Sequence, residues 1–202
     1  MAGPYKTTNE GIENQFGSNH IGHFLFTNLI MPKMLAAKRP RVVNVASDGH
    51  RFSGIRFEDP NFSDGAVYDP WDAYGQSKTA NILFSKALAE KLGDKGLRAY
   101  SLHPGQALGT SLAPNGFTEE DLASLVAKDK QIGWPPGLNL KTLDACAGTH
   151  VVAAFDPRLD DCNGAYLDDG HVAEPEATAS NPADVERLWK LSEKLVGQTF
   201  EY

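Results

Sequence analysis

The 202-residue sequence predicts an α/β fold, a parallel sheet with helices on both faces, and three observations carry that expectation. Short strand-like runs alternate with longer segments of helical periodicity. No tight hairpin signal is read between the strands, so crossover connections are expected. The composition, 41% hydrophobic and 22% charged, is that of a globular chain and excludes disordered and fibrous classes.

The elements follow in order. Thr7-Thr8-Asn9-Glu10 reads as a capping box, with Glu10 reaching back to Thr7. A long helix follows it, carrying Ile12, Phe16, Phe24 and Leu25 and bending or ending near Pro32. Residues 41–47 form a continuous β-branched run, the pattern of a buried parallel strand. Residues 53–70 are rich in Gly, Asp, Asn and Pro and read as a loop. A helix over 71–92 places Ala80, Leu83, Phe84, Ala87, Leu88 and Leu92 on one stripe, and Gly93 and Gly96 flank its stop. Residues 97–103 are a second strand, broken by Pro104-Gly105. Thr118-Glu119-Glu120-Asp121 opens a short helix inside a loop-like region that Trp134-Pro135-Pro136-Gly137 closes. Residues 140–155 are helical, 165–167 a third short strand, and 183–195 the last helix.

Several function classes drop out. A net charge of −7 offers no basic face for nucleic acid. Cys146 and Cys162 are too few for a disulfide scaffold and match no zinc spacing, so they read as two reduced thiols. His20 and His23 lack a third ligand at suitable spacing, and no metal site is expected. The apolar stretch 21–37 is interrupted by His23, Asn28, Pro32 and Lys33, so no membrane span is expected. With no signal-peptide, prenylation or peroxisomal pattern, the cytoplasm is the expected compartment.

The chemistry concentrates around Tyr74-Gly75-Gln76-Ser77-Lys78. Tyr and Lys four residues apart share one helix face. An ammonium beside a phenol favours the phenolate, and such a tyrosine can pass a proton to or from a carbonyl or alcohol oxygen. Ser47 closes the strand at its carboxyl end, where ligands of open α/β sheets bind. From there it can hydrogen-bond the same oxygen as Tyr74, although a serine ending a strand is often only a turn cap. Asn19 lies mid-helix. Pro104-Gly105 makes a tight turn or lets backbone approach a ligand.

Asn19, Ser47, Tyr74 and Lys78, in that order and followed by Pro104-Gly105, resemble the short-chain dehydrogenase/reductase family. Asn-His-Ile-Gly-His-Phe at 19–24, Val-Val-Asn-Val-Ala-Ser at 42–47 and Ser-Leu-His-Pro-Gly at 101–105 are similar to its retinol-dehydrogenase-like and WW-domain-oxidoreductase-like branch. The resemblance implies a doubly wound Rossmann-like sheet and NAD or NADP as cofactor, with a lean to NADP. It implies hydride transfer between nicotinamide and a carbonyl or alcohol. Tyr74 would be the general acid/base. Lys78 would lower its pKa and bind the nicotinamide ribose. Ser47 would steady the reacting oxygen, and Asn19 would hold a water in a proton relay. Pro104 and Gly105 would line the nicotinamide pocket. Thr110 would contact the carboxamide, although Gln106-Ala107-Leu108-Gly109 sets it one residue later than the family pattern.

The family's glycine-rich cofactor loop and first strand–helix units have no counterpart here, and no G-x-G-x-x-G occurs. The expectation is therefore a single partial domain over 1–202, the C-terminal part of the family fold. With neighbouring strands absent, the strand at 41–47 would expose an edge that invites self-association. An alternative class is a non-catalytic remnant acting as an interaction or regulatory protein. A serine hydrolase is excluded because no G-x-S-x-G elbow occurs. The loop over 112–138, with Phe117, Leu122 and Trp134, suggests cover for an apolar small-molecule substrate, or ordinary loop contacts.

Overall fold

The computed structural model describes residues 1–107, 110, 118–136 and 139–202. Four strands form one sheet in the order β1 (Arg41–Val45), β2 (Arg98–His103), β3 (Tyr166–Asp168) and β4 (His171–Ala173). The first three run parallel, with Val43 opposite Tyr100 and Leu102 opposite Leu167. β4 returns antiparallel, Leu167 opposite Val172. This hairpin is absent from the sequence expectation of three strands. Its signal is the dipeptide Asp169-Gly170, whose φ values of 49° and 76° make a two-residue turn of the kind that matches strand twist.

The first helix begins later than expected. Thr7–Glu10 forms no capping box. Gly11, at φ +79°, turns the chain, with its N–H bonded to Thr8 O at 3.0 Å. The helix starts at α1 (Asn14–Phe16), where the buried Glu13 carboxylate accepts from the Gln15 and Phe16 amides. A π-helical turn, Gly17–Ile21, leads into α2 (Gly22–Leu35). The helix ends near Pro32, as expected, at Leu35. Proline has no N–H for the Asn28 carbonyl one turn earlier, and the Tyr202 hydroxyl lies 3.3 Å from that oxygen and 2.8 Å from Asn28 Oδ1.

α3 (Pro70–Leu92) is the central helix. Asp69 caps it by accepting from the Trp71 and Asp72 amides, Pro70 takes the first turn, and Gly96 beyond its end adopts φ +88°. Its apolar stripe meets α2, the strand face of Val42 and Ala99, and α6 (Pro182–Val196) through Phe24, Leu83, Phe84, Leu88, Leu188 and Trp189. Each such side chain, fully buried, contributes about 1.5–3 kcal/mol. The opposite face of the sheet presents Tyr100, Leu102 and Leu167 to Ala153 of α5 (Leu143–Phe155), with Val43 alongside. Helices therefore cover both faces, as the strand patterning requires. α4 (Glu119–Gln131) opens on a capping box in which Thr118 and Asp121 bond each other's backbone. Cys146 is buried and Cys162 exposed, and neither is in a disulfide.

β1 is an edge strand, and its last residue, Val45, is 42% exposed. On α2, Phe26 and Leu29 are 62% and 57% exposed. No helix among the described residues is long and apolar enough to cross a membrane, and none of their His, Cys, Asp and Glu side chains gather in a group able to hold a metal.

Candidate active site

A cleft of about 270 Å³ opens at the carboxyl ends of β1 and β2. Asn19, Ser47, Tyr74, Lys78, Pro104 and Gly105 all line it. Elements far apart in sequence bring them there: the π turn carries Asn19, the end of β1 Ser47, the second and third turns of α3 Tyr74 and Lys78, and the end of β2 the Pro-Gly turn. π turns inside helices are rare and concentrate at functional positions.

Ser47 stands two residues past β1 with extended backbone, and its hydroxyl caps a 3-10 turn over Asp48–Phe52 by accepting from the Gly49 N–H at 3.0 Å. That turn presses against α3. A Cβ on Gly49 would lie 2.7 Å from the Tyr74 ring, and one on Gly75 would lie 2.7 Å from Ser53 N. Two glycines thus let the serine turn and the tyrosine helix approach to contact.

The Asn19 amide donates to Ser77 Oγ at 2.9 Å, and Ser77 donates to the Tyr74 carbonyl at 2.7 Å, so the π turn is tied to the first half of α3. Lys78 Nζ donates to Val45 O at 3.0 Å and stands 5.6 Å from the Tyr74 ring centre. Among the described residues no carboxylate lies within ion-pair reach of it, and burial lowers its pKa to about 8. Tyr74 departs from the sequence expectation. Burial pushes its phenol up to about 12, while the adjacent Ser47 hydroxyl pulls it down and Asp48 adds to the rise. Lys78, its ammonium turned to a backbone carbonyl, is not among the groups that shift this phenol.

Other residues at the site carry no motif. Arg51, its side chain 4% exposed, sits 2.9 Å from Asp48 and 2.8 Å from the fully buried Asp129 of α4. It is stacked between the rings of Phe52 and Trp134. Trp71 Nε1 donates to Ser124 Oγ at 3.0 Å, and Lys128 reaches Asp72 at 2.6 Å. These three contacts fasten α4 over the cleft, where Leu125 forms part of the wall. Gln106 donates to Asp48 at 2.9 Å. A separation of 78 residues hides the Arg51–Asp129 pair from any local pattern; the glycines at 49 and 75 were visible but carried no distinguishing signal. Thr110 is exposed, and Leu108, Gly109, Phe117 and Gly137 lie outside the described residues.

Fold and cleft together define an α/β protein of the Rossmann type, with its site at the carboxyl end of a parallel sheet. The chain is 36% identical over 204 residues to short-chain dehydrogenase TIC 32 A, chloroplastic, of Brassica napus. It is 34% identical over 197 residues to human retinol dehydrogenase 11. These alignments take in 96% and 98% of this chain but 60% and 58% of the relatives, so the chain spans about three fifths of their length. A crystal structure of an uncharacterized protein from Mycobacterium paratuberculosis superposes with a TM-score of 0.69 at 31% identity, over 100% of this chain and 65% of that one. No protein-family model matches the chain. Over nearly its whole length, the chain is thus similar to short-chain dehydrogenases and retinol dehydrogenases.

Proposed function

We propose that these residues form the catalytic and substrate-binding half of an NAD(P)-dependent oxidoreductase that acts on a small apolar carbonyl or alcohol, with Tyr74 as general acid/base. The observation that carries the reading is the convergence of Tyr74, Ser47 and Lys78 on one cleft beyond the strand ends. When bound, the nicotinamide supplies or accepts the hydride.

The residues fit the nicotinamide half of such a cofactor. Lys78 has three donors, and one is spent on Val45 O. The others are free to meet ribose hydroxyls in a cleft with no carboxylate near the ammonium among the described residues. Pro104 and Gly105 offer backbone at the cleft wall, Gly105 with φ +95°. The pyrophosphate half normally rests on a glycine loop at a helix N-terminus, and the sequence contains no G-x-G-x-x-G. The alignment with 58–60% of the relatives' length supports a partial domain over 1–202.

The chain's own groups would act as follows. A substrate oxygen enters between Ser47 and Tyr74. With its pKa near 12, Tyr74 holds its proton at neutral pH and is ready to donate it to a carbonyl oxygen as the carbon is reduced. Ser47 contributes a second hydrogen bond to that oxygen. Lys78 orients the ribose. Asn19 holds the π turn against α3 and borders the path by which the proton is replaced. Val45, Phe52, Trp71, Leu125 and Leu140 give the cleft an apolar wall suited to an apolar substrate. The name of the human relative, a retinol dehydrogenase, agrees with that class.

The exposed β1 edge, with Val45, Phe26 and Leu29, supports self-association of the isolated chain. The deciding experiment follows nicotinamide absorbance with NADPH and NADH against a series of aldehydes and ketones of increasing apolar length, using protein from the complete reading frame. Turnover that rises with apolar length is expected. A folded protein that turns over none of them supports the non-catalytic reading instead.

A further inference from the structure

Ser47 is held from its backbone as well as from its side chain, and the group that holds it is a histidine no motif singles out. His50 lies in the 3-10 turn, buried at 5% exposure. Its Nδ1 is 2.6 Å from the Ser47 carbonyl oxygen. Its Nε2 is 3.0 Å from the Glu176 backbone nitrogen. A backbone N–H can only donate, so Nε2 carries no proton. The one ring proton of the neutral imidazole therefore sits on Nδ1 and is donated to Ser47 O. The two partners fix the tautomer between them. The ring is braced edge-on against Tyr166 of β3 at 5.2 Å, and its own carbonyl accepts from Thr79 Oγ1 of α3 at 3.2 Å. Glu176 follows β4 in the chain and caps the 3-10 turn Ala177–Ala179, which buries Ala179 beneath it.

We infer that His50 is a positioning residue: as a neutral, single-tautomer bridge it fixes the Ser47 carbonyl, and with it the direction of the Ser47 hydroxyl, by anchoring that residue to the segment after β4. The inference rests on the proposed function, in which Ser47 touches the substrate oxygen while His50 acts only through Ser47. The physical warrant is geometric. Apart from the ring, the Ser47 carbonyl accepts from the His50 backbone N–H at a longer 3.2 Å, and the hydroxyl is rotatable; an error of about 1 Å at a reacting oxygen costs on the order of 100-fold in rate. His50 removes that freedom on one side, as the Gly49 N–H does on the other.

The two ring nitrogens can be tested separately. Asn places its amide nitrogen where Nδ1 stands, which keeps the donor to Ser47 O and loses the Glu176 bond. Gln places its amide near Nε2, which keeps an acceptor for Glu176 and loses the donor to Ser47. We expect H50N to retain kcat within about threefold, and H50Q to lose about tenfold or more with KM little changed. Thermal midpoints should fall by similar amounts in both, since each loses one buried hydrogen bond. A structural role alone would lower the midpoints with no difference in kcat between H50N and H50Q, and that result overturns the inference. Nitrogen-15 shifts of the His50 ring in the 202-residue chain give a readout independent of activity: protonated Nδ1 and bare Nε2 support the bridge, whereas a protonated Nε2 overturns it. Ser47→Ala separates the two claims. If it leaves hydride transfer unchanged, the functional reading of Ser47 fails and the role given to His50 falls with it.

Discussion

Acid should unfold this protein through one histidine in particular. His20 sits in the π turn with 0% exposure, enclosed by Phe16, Phe24 and Phe84. Its Nε2 lies 2.8 Å from Ser192 Oγ, and Ser192 donates its own proton to the Leu188 carbonyl. Nε2 is therefore the donor, and Nδ1, buried without a partner among the described residues, carries no proton. Burial lowers the pKa from 6.5 to about 3, with His23 adding to the shift. The unfolded chain takes up this proton first, so the stability from His20 is complete above about pH 6.5 and drains away as pH falls toward 3. At about 1.4 kcal/mol per unit, the loss is about 2 kcal/mol near pH 5 and approaches about 5 kcal/mol near pH 3. The assay is urea unfolding at a series of pH values for wild type and His20→Phe. Phenylalanine suits the aromatic surroundings and leaves Ser192 its bond to Leu188. His50, also held low by burial, and Glu13, whose carboxyl burial raises, are common to both proteins and cancel in the comparison. The wild-type slope between pH 6.5 and 4 should be steeper by roughly one proton. Equal slopes would refute the reasoning, whatever the plateau stabilities.

Two further outcomes follow from the geometry. Gly49→Ala puts a methyl 2.7 Å from the Tyr74 ring; kcat should fall at least about tenfold while the thermal midpoint moves little, and a kcat within twofold of wild type would show that the ring position does not matter. Asp129→Asn leaves Arg51 facing Asp48 alone and should cost about 3 kcal/mol in chemical unfolding; a change below about 1 kcal/mol would mean that α4 is not fastened to the site through this pair.

Much of the fold was legible because its cues are local. Asp69-Pro70 opens α3 and Gly96 marks its end, and both are turn and cap chemistry readable from neighbouring residues. The valine-rich run at 41–47, and the stretch 97–103 that Pro104-Gly105 breaks, read as strands for the same reason. Misreadings came where local chemistry had two uses. Thr7 and Glu10 have capping-box spacing, yet Gly11 breaks the backbone before a helix can form, and the cap is Glu13, a residue type less common there. Asp169-Gly170 is a hairpin signal that flanking strands of only three residues each leave without a visible alternating pattern. Pro32 stands near the end of α2, at Leu35, and the sequence cannot show that Tyr202 will meet the carbonyl it leaves open. At the site, resemblance and spacing singled out Asn19, Ser47, Tyr74 and Lys78, which line one cleft. Their supports were not singled out: Arg51 finds Asp129 and His50 finds Glu176 only after the sheet has brought together segments 78 and 126 residues apart.

The central claim is that Tyr74 moves the proton and Lys78 holds the ribose. Its most direct test is a side-by-side measurement of kcat and cofactor affinity in Tyr74→Phe and Lys78→Ala, made on protein from the complete reading frame. Phenylalanine removes only the transferable proton, so kcat should fall by two orders of magnitude or more, about the contribution of a general acid, with cofactor affinity within about threefold of wild type. Alanine at 78 should lower both quantities. Tyr74→Phe turning over within tenfold of wild type, or Lys78→Ala binding the cofactor as tightly as wild type, would contradict the account.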